Sequence, residues 1–144
     1  MTSTILRSTV AAIAFAGTMA FAAPSMAASM TFKASLDGKS EVPPNDSKAT
    51  GAVTATYDTD SKKLTWKGSY KDLSGDATAA HFHGPAEPGK NAGVLVPIAP
   101  ATSPLEGSAT LNDDQAKALM AGEVYVNVHT AANKGGEIRG QLTK

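Results

Sequence analysis

Apolar and polar residues alternate along most of the chain with a period of two. Between residues 30 and 36 every even-numbered residue is apolar and every odd-numbered residue is polar, which is typical of a half-buried β-strand. Segments 51–57 and 63–70 repeat this alternation on either side of a turn at 58–61, so we predict a hairpin. Trp66 falls on the apolar side of that hairpin and is predicted to pack in the core.

Later segments continue the same pattern between loops rich in glycine and proline. The resulting set of eight short strands predicts an all-β fold, an antiparallel Greek-key-like sandwich or barrel. One short crossover helix is predicted at 112–122, where Asn112 can cap the first turn and Gly122 can end the last. The five further predicted strands are 77–83, 93–98, 105–111, 123–130 and 137–142.

Residues 1–27 differ from the rest of the chain and are predicted to be a secretory signal peptide. Arg7 is their only charged residue, an uncharged stretch follows at 10–23, and Ser25-Met26-Ala27 fits the small-x-small cleavage rule. A retained membrane anchor is the alternative, but the stretch is short for a membrane span and diluted by alanine. We therefore expect cleavage near Ala27 and a single periplasmic or secreted domain, residues 28–144, without a membrane span.

The composition of this domain excludes several classes of partner and of functional site. The chain has 13 basic and 13 acidic residues, and loss of Arg7 changes its net charge only from 0 to −1. No basic patch is present, which argues against a nucleic-acid partner. The chain also has no cysteine, which excludes disulfides, thiolate metal sites and cysteine nucleophiles.

The three histidines are the main candidates for a functional site. His81 and His83 share one face of their predicted strand, opposite Phe82, and His129 lies opposite the valines of 124–128. If the two strands are neighbours, the three imidazoles converge on one polar patch that suits copper(II) or zinc. The alternative is that they are surface histidines with ordinary hydrogen bonds.

Glu137 is a further candidate because the predicted hairpin of 124–130 and 137–142 brings it near His129. It is expected to be either a fourth ligand or an acceptor behind the histidines. The alternative is an ion pair or an outward-facing charge beside Arg139.

Four blocks of the chain, 32–44, 80–84, 119–130 and 135–142, resemble the CHRD domain. This domain is named after chordin, where it is repeated, and it also occurs as a single secreted domain in bacteria. The resemblance covers about 30–143 and implies an all-β fold, whereas the function of the family is poorly defined. The family pattern corresponds here to Glu41, Pro43, Pro44, His81, His83, Gly84, Tyr125, Asn127, His129, Thr130, Gly136, Glu137, Arg139 and Gly140.

Three functions are compatible with these residues. The leading hypothesis is a domain that binds one metal ion, copper in preference to zinc, through His81, His83 and His129 for carriage, storage or sequestration. The second is a metal-free interaction or matrix module with an envelope or extracellular protein partner. The third is a metal-dependent enzyme that uses the same three histidines, for which the sequence identifies no separate catalytic residue.

Overall fold

Eight antiparallel strands form one sheet in the computed structural model, which describes residues 28–144. The predicted signal peptide, 1–27, lies outside the described residues. The strands follow the order β5-β4-β7-β8-β1-β2-β3-β6 across the sheet. The elements in chain order are β1 (Ser29–Asp37), β2 (Thr50–Asp58), β3 (Lys63–Lys71), β4 (Ala77–His83), β5 (Val94–Ile98), β6 (Leu105–Thr110), α1 (Asp113–Ala121), β7 (Tyr125–Thr130) and β8 (Ile138–Gln141).

The sheet curls until its two edge strands, β5 and β6, approach each other. The result is a nearly closed barrel, in agreement with the predicted all-β antiparallel fold. Closure of this kind protects strand edges, which would otherwise present unpaired backbone groups. None of the helices formed by residues 28–144 is long and apolar enough to cross a membrane.

Side chains on one face of each strand fill the barrel. Trp66 is 4% exposed, as predicted, and meets Phe82 edge to face with ring centroids 5.1 Å apart. Val126 and Val128 of β7 and Ile138 of the adjacent β8 are completely buried. The apolar face predicted from alternation is therefore the inner face of the barrel.

The predicted helix is present between β6 and β7. The Asn112 side chain accepts a hydrogen bond from the Gln115 N–H, and the Gln115 side chain accepts one from the Asn112 N–H, which completes a capping box. Gly122 ends the helix with φ of 77°, a left-handed conformation that glycine adopts without strain.

Outside the barrel, loops cover the polar face of β4, β7 and β8. The Asn91 side chain donates to the Val42 carbonyl, and the Asn45 side chain donates to the Glu137 carbonyl. These contacts hold the segments that follow β1 and β4 over the sheet. Several polar residues on the outer face are consequently buried, including Asn127 at 2% and Arg139 at 1% exposure.

Candidate metal centre

Strand pairing places the three histidines on one patch of the outer face. In the antiparallel pair of β4 and β7, His81 lies opposite Asn127, His83 opposite Tyr125, and Ala79 opposite His129. Residues of equal parity project to the same side of a strand, so all three imidazoles point away from the barrel interior. The structure thus brings together the three histidines that the sequence proposed as one site.

The ring nitrogens lie at separations close to those a shared ion requires. His81 Nδ1 is 3.1 Å from His129 Nε2, and each histidine offers one nitrogen within 4.8 Å of the other two. Nitrogens bound to one zinc ion at about 2 Å lie roughly 3.3 Å apart in a tetrahedral arrangement. The three side chains could therefore hold one ion after shifts of less than about 1 Å.

Two backbone carbonyls orient the imidazoles. His83 Nδ1 is 3.0 Å from the Ala92 oxygen, and His129 Nδ1 is 2.9 Å from the Lys134 oxygen. Because a carbonyl only accepts, each Nδ1 carries the proton and leaves Nε2 with its lone pair available. His81 then donates its Nδ1 proton to His129 Nε2.

His83 is the most buried of the three imidazoles, with 8% of its surface exposed. Its Nε2 is buried, and no atom of residues 28–144 forms a hydrogen bond with it. A buried nitrogen lone pair without a donor is costly, which makes this atom a natural ligand for a cation.

The environment of His81 and His83 favours their neutral form. Burial lowers the pKa of His81 below 6.5, and the neighbouring His129 and His83 lower it further. Burial likewise lowers the pKa of His83, and although the hydrogen bond to Ala92 opposes this change, the net direction is downward. Neutral imidazole is the form that binds metal ions, so these side chains are ready to coordinate near pH 7.

An aromatic and cationic stack supports His83 on one side. Its ring lies parallel to that of Tyr125 with centroids 4.9 Å apart, and the Arg139 guanidinium carbon lies 3.4 Å from the Tyr125 ring centre. Arg139 also donates to the Asn91 side chain and to the Lys90 carbonyl. The stack restricts the rotation of His83 and links its position to the covering loop 84–93.

Both interpretations of Glu137 are wrong. Its side chain is completely buried, and its two carboxylate oxygens accept hydrogen bonds from Ser47, Ser74 and Thr130. Burial by itself would raise its pKa, but these hydrogen bonds lower the pKa to about 2. Lys134, not Glu137, supplies the acceptor behind His129. Glu137 also makes no ion pair with Arg139 within the described part of the chain.

Sequence reasoning missed the groups that surround the histidines. The Ala92 and Lys134 acceptors are carbonyls, which every residue possesses, so no pattern of side chains could reveal them.

Glu41 could be found only through the family pattern. It is 4% exposed, and burial raises its pKa to about 7 although the backbone at Val42 and the charge of Arg139 favour its ionised form.

The comparison with known families is consistent with this architecture. The family model for the CHRD domain matches residues 32–142, which is nearly the whole described chain. No curated protein and no solved structure matches the chain.

Proposed function

We propose that this chain, which belongs to the CHRD family, binds one metal ion. His81, His83 and His129 are the ligands, and carriage, storage or sequestration of the ion is the role. The observation that carries the proposal is the buried His83 Nε2, which lacks a hydrogen-bond partner in residues 28–144 and belongs to the three-nitrogen cluster.

Copper is the proposed ion, with zinc second. The ligand set consists of neutral imidazoles, which suit both ions, and copper(II) binds such sites more tightly than other divalent ions of the first transition row. The partial exposure of His81 and His129 gives an ion access from solvent. A secreted or periplasmic location, proposed from the signal-like sequence of residues 1–27, is compatible with this role.

Carriage or storage is favoured over catalysis by the surroundings of the cluster. Glu137 could otherwise act as a general base, but both of its carboxylate oxygens are occupied by hydrogen bonds. The alternative is a metal-dependent enzyme that uses the same histidines. It predicts that the metal-loaded protein turns over a substrate and that this activity disappears when the histidines are replaced.

Titration calorimetry with Cu(II) and Zn(II), at pH 7.4 and at pH 5, tests the proposal. We expect one Cu(II) per chain, tighter than Zn(II), and weaker binding at pH 5 because protons compete for the imidazoles. His83→Ala should weaken binding more than about 100-fold, since loss of even an outer-shell partner can reach that size. Glu106→Ala, at an exposed carboxylate on β6, is the control and should bind as the wild type does.

Two results would count against the proposal. One is the absence of saturable metal binding by the wild type. That result would favour the metal-free interaction module, and a protein partner should then be recovered from the cell envelope without added metal. The other is unchanged affinity in a His81→Ala/His129→Ala variant.

A further inference from the structure

Asn127 lies in the middle of the histidine cluster. It is directly opposite His81 in the pairing of β4 and β7, and it is two residues before His129 on the same face of β7. His83 is its diagonal neighbour across the same strand pair.

We propose that the Asn127 side-chain oxygen is the fourth protein ligand of the metal ion. The inference rests on the proposed function, since it completes the same site. It changes the ligand set from three nitrogens to three nitrogens and one oxygen, a combination compatible with tetragonal copper(II). Asn127 is 2% exposed, so its amide belongs to the closed base of the site and not to the protein surface.

The orientation of the amide follows from its neighbours. Asn127 Nδ2 donates to the Gly135 carbonyl over 3.4 Å. This hydrogen bond turns the NH₂ group towards Gly135 and directs Oδ1 to the other side. Oδ1 is buried, and no donor within residues 28–144 reaches it.

Gly136 maintains this orientation. Its φ is 131°, and a Cβ at this position would lie 2.1 Å from Glu41 Oε1 and 2.8 Å from Asn127 Nδ2. The backbone of Gly135 and Gly136 can therefore close directly over the amide, which a side chain at position 136 would prevent.

Two buried acceptor atoms thus lie in one small site without a donor. His83 Nε2 and Asn127 Oδ1 both present lone pairs, and the two residues are diagonal neighbours across β4 and β7. Each such atom destabilises the folded chain when it is buried and unsatisfied. A cation bound by both atoms removes this cost, whereas an apolar ligand or an anion would not.

Electron–nuclear double resonance on the Cu(II)-loaded protein tests the ligand directly. Asparagine labelled with ¹³C at the side-chain carbonyl is incorporated into the wild-type chain. We expect a strongly coupled ¹³C signal together with nitrogen couplings from the imidazoles. Asn127→Leu should abolish the ¹³C signal, admit a coordinated water seen as new deuteron coupling in D₂O, and weaken binding about 10- to 100-fold.

A second variant provides a measurement that is independent of the stability of Asn127→Leu. Asn127→Asp replaces the amide oxygen by a carboxylate oxygen, so it should bind Cu(II) more tightly than the wild type and show no additional water. Asn133→Asp adds the same charge in the neighbouring loop and is the matched control, for which wild-type affinity is expected.

The possible outcomes separate the two proposals. Failure of the wild type to bind Cu(II) would overturn both. Binding through three imidazoles without ¹³C coupling, and with equal affinity in Asn127→Asp and Asn133→Asp, would overturn the role of Asn127 alone.

Discussion

Replacement of Glu137 by glutamine should destabilise the fold in a way that depends on pH. Four hydrogen bonds of 2.6–2.8 Å reach the carboxylate, from Ser47 Oγ, from both the N–H and Oγ of Ser74, and from Thr130 Oγ1. Glutamine retains the shape of the side chain but has no charge and only one acceptor oxygen. The substitution therefore isolates the contribution of the ionised carboxylate.

The magnitude follows from the pKa. The folded protein lowers the pKa of Glu137 from 4.5 to about 2 because the four hydrogen bonds outweigh the cost of burial. That difference corresponds to about 3 kcal/mol of folding free energy at neutral pH. Since the folded pKa is the lower one, this stabilisation is fully present above pH 4.5 and disappears as the pH falls towards 2. At pH 3 about 40% of it should remain.

Urea unfolding, followed by the fluorescence of Trp66, measures this effect in wild type and Glu137→Gln between pH 7 and pH 3. We expect the variant to be about 3 kcal/mol less stable at pH 7 and the difference to narrow below pH 4.5. Glu106→Gln, the same exchange at an exposed position on β6, should change stability by less than about 0.5 kcal/mol. A stability difference for Glu137→Gln that stays constant across this pH range would refute the argument from ionisation.

Three further predictions concern the site and the core beneath it. Gly136→Ala should destabilise the fold by more than about 1 kcal/mol in urea unfolding and weaken Cu(II) binding, because its Cβ would displace Glu41 or Asn127. A variant with the wild-type unfolding free energy and the wild-type Cu(II) affinity would contradict the packing argument. Without added metal, the protein should lose stability as the pH falls through 6.5, because the pKa of His83 is lower in the folded protein than in the unfolded chain, which therefore binds protons more readily. In a His83→Gln variant the unfolding free energy should change less steeply with pH. An equal dependence on pH in both proteins would exclude His83 as the cause. Phe82→Ala should lower the free energy of unfolding by about 3–5 kcal/mol in the same assay, since the ring is fully buried against Trp66. A decrease below about 1 kcal/mol would indicate that neighbouring side chains fill the space that the ring occupied.

Alternation along the chain predicted much of the fold. The pattern identified the eight strands, the inward position of Trp66 and the capped helix, because each depends on local backbone geometry that repeats every two or 3.6 residues. The same parity placed all three histidines on the face opposite the core. Their convergence additionally requires that β4 and β7 be neighbours, which the sheet order provides and alternation alone does not determine.

Glu137 and Arg139 show where local patterns fail. The position of Glu137 in the sequence predicted a ligand or a charge beside Arg139, yet both residues are buried beneath segments that are distant along the chain. Ser47 and Ser74 bind Glu137, and Lys90 and Asn91 bind Arg139, through contacts between residues 48 to 90 positions apart. Alternation describes one strand and carries no information about which loop covers its outer face.

By itself, the sequence determined the type of each element, the side of the strand on which each histidine lies and the absence of thiol chemistry. Only the tertiary structure decided that the imidazoles meet, that the carbonyls of Ala92 and Lys134 hold the protonated nitrogens of His83 and His129, and that Asn127 lies opposite His81. The physical reason is that the direction of a side chain on a strand follows from backbone geometry over two residues. A binding site depends instead on distances between strands and loops, and these are set by packing of the whole domain.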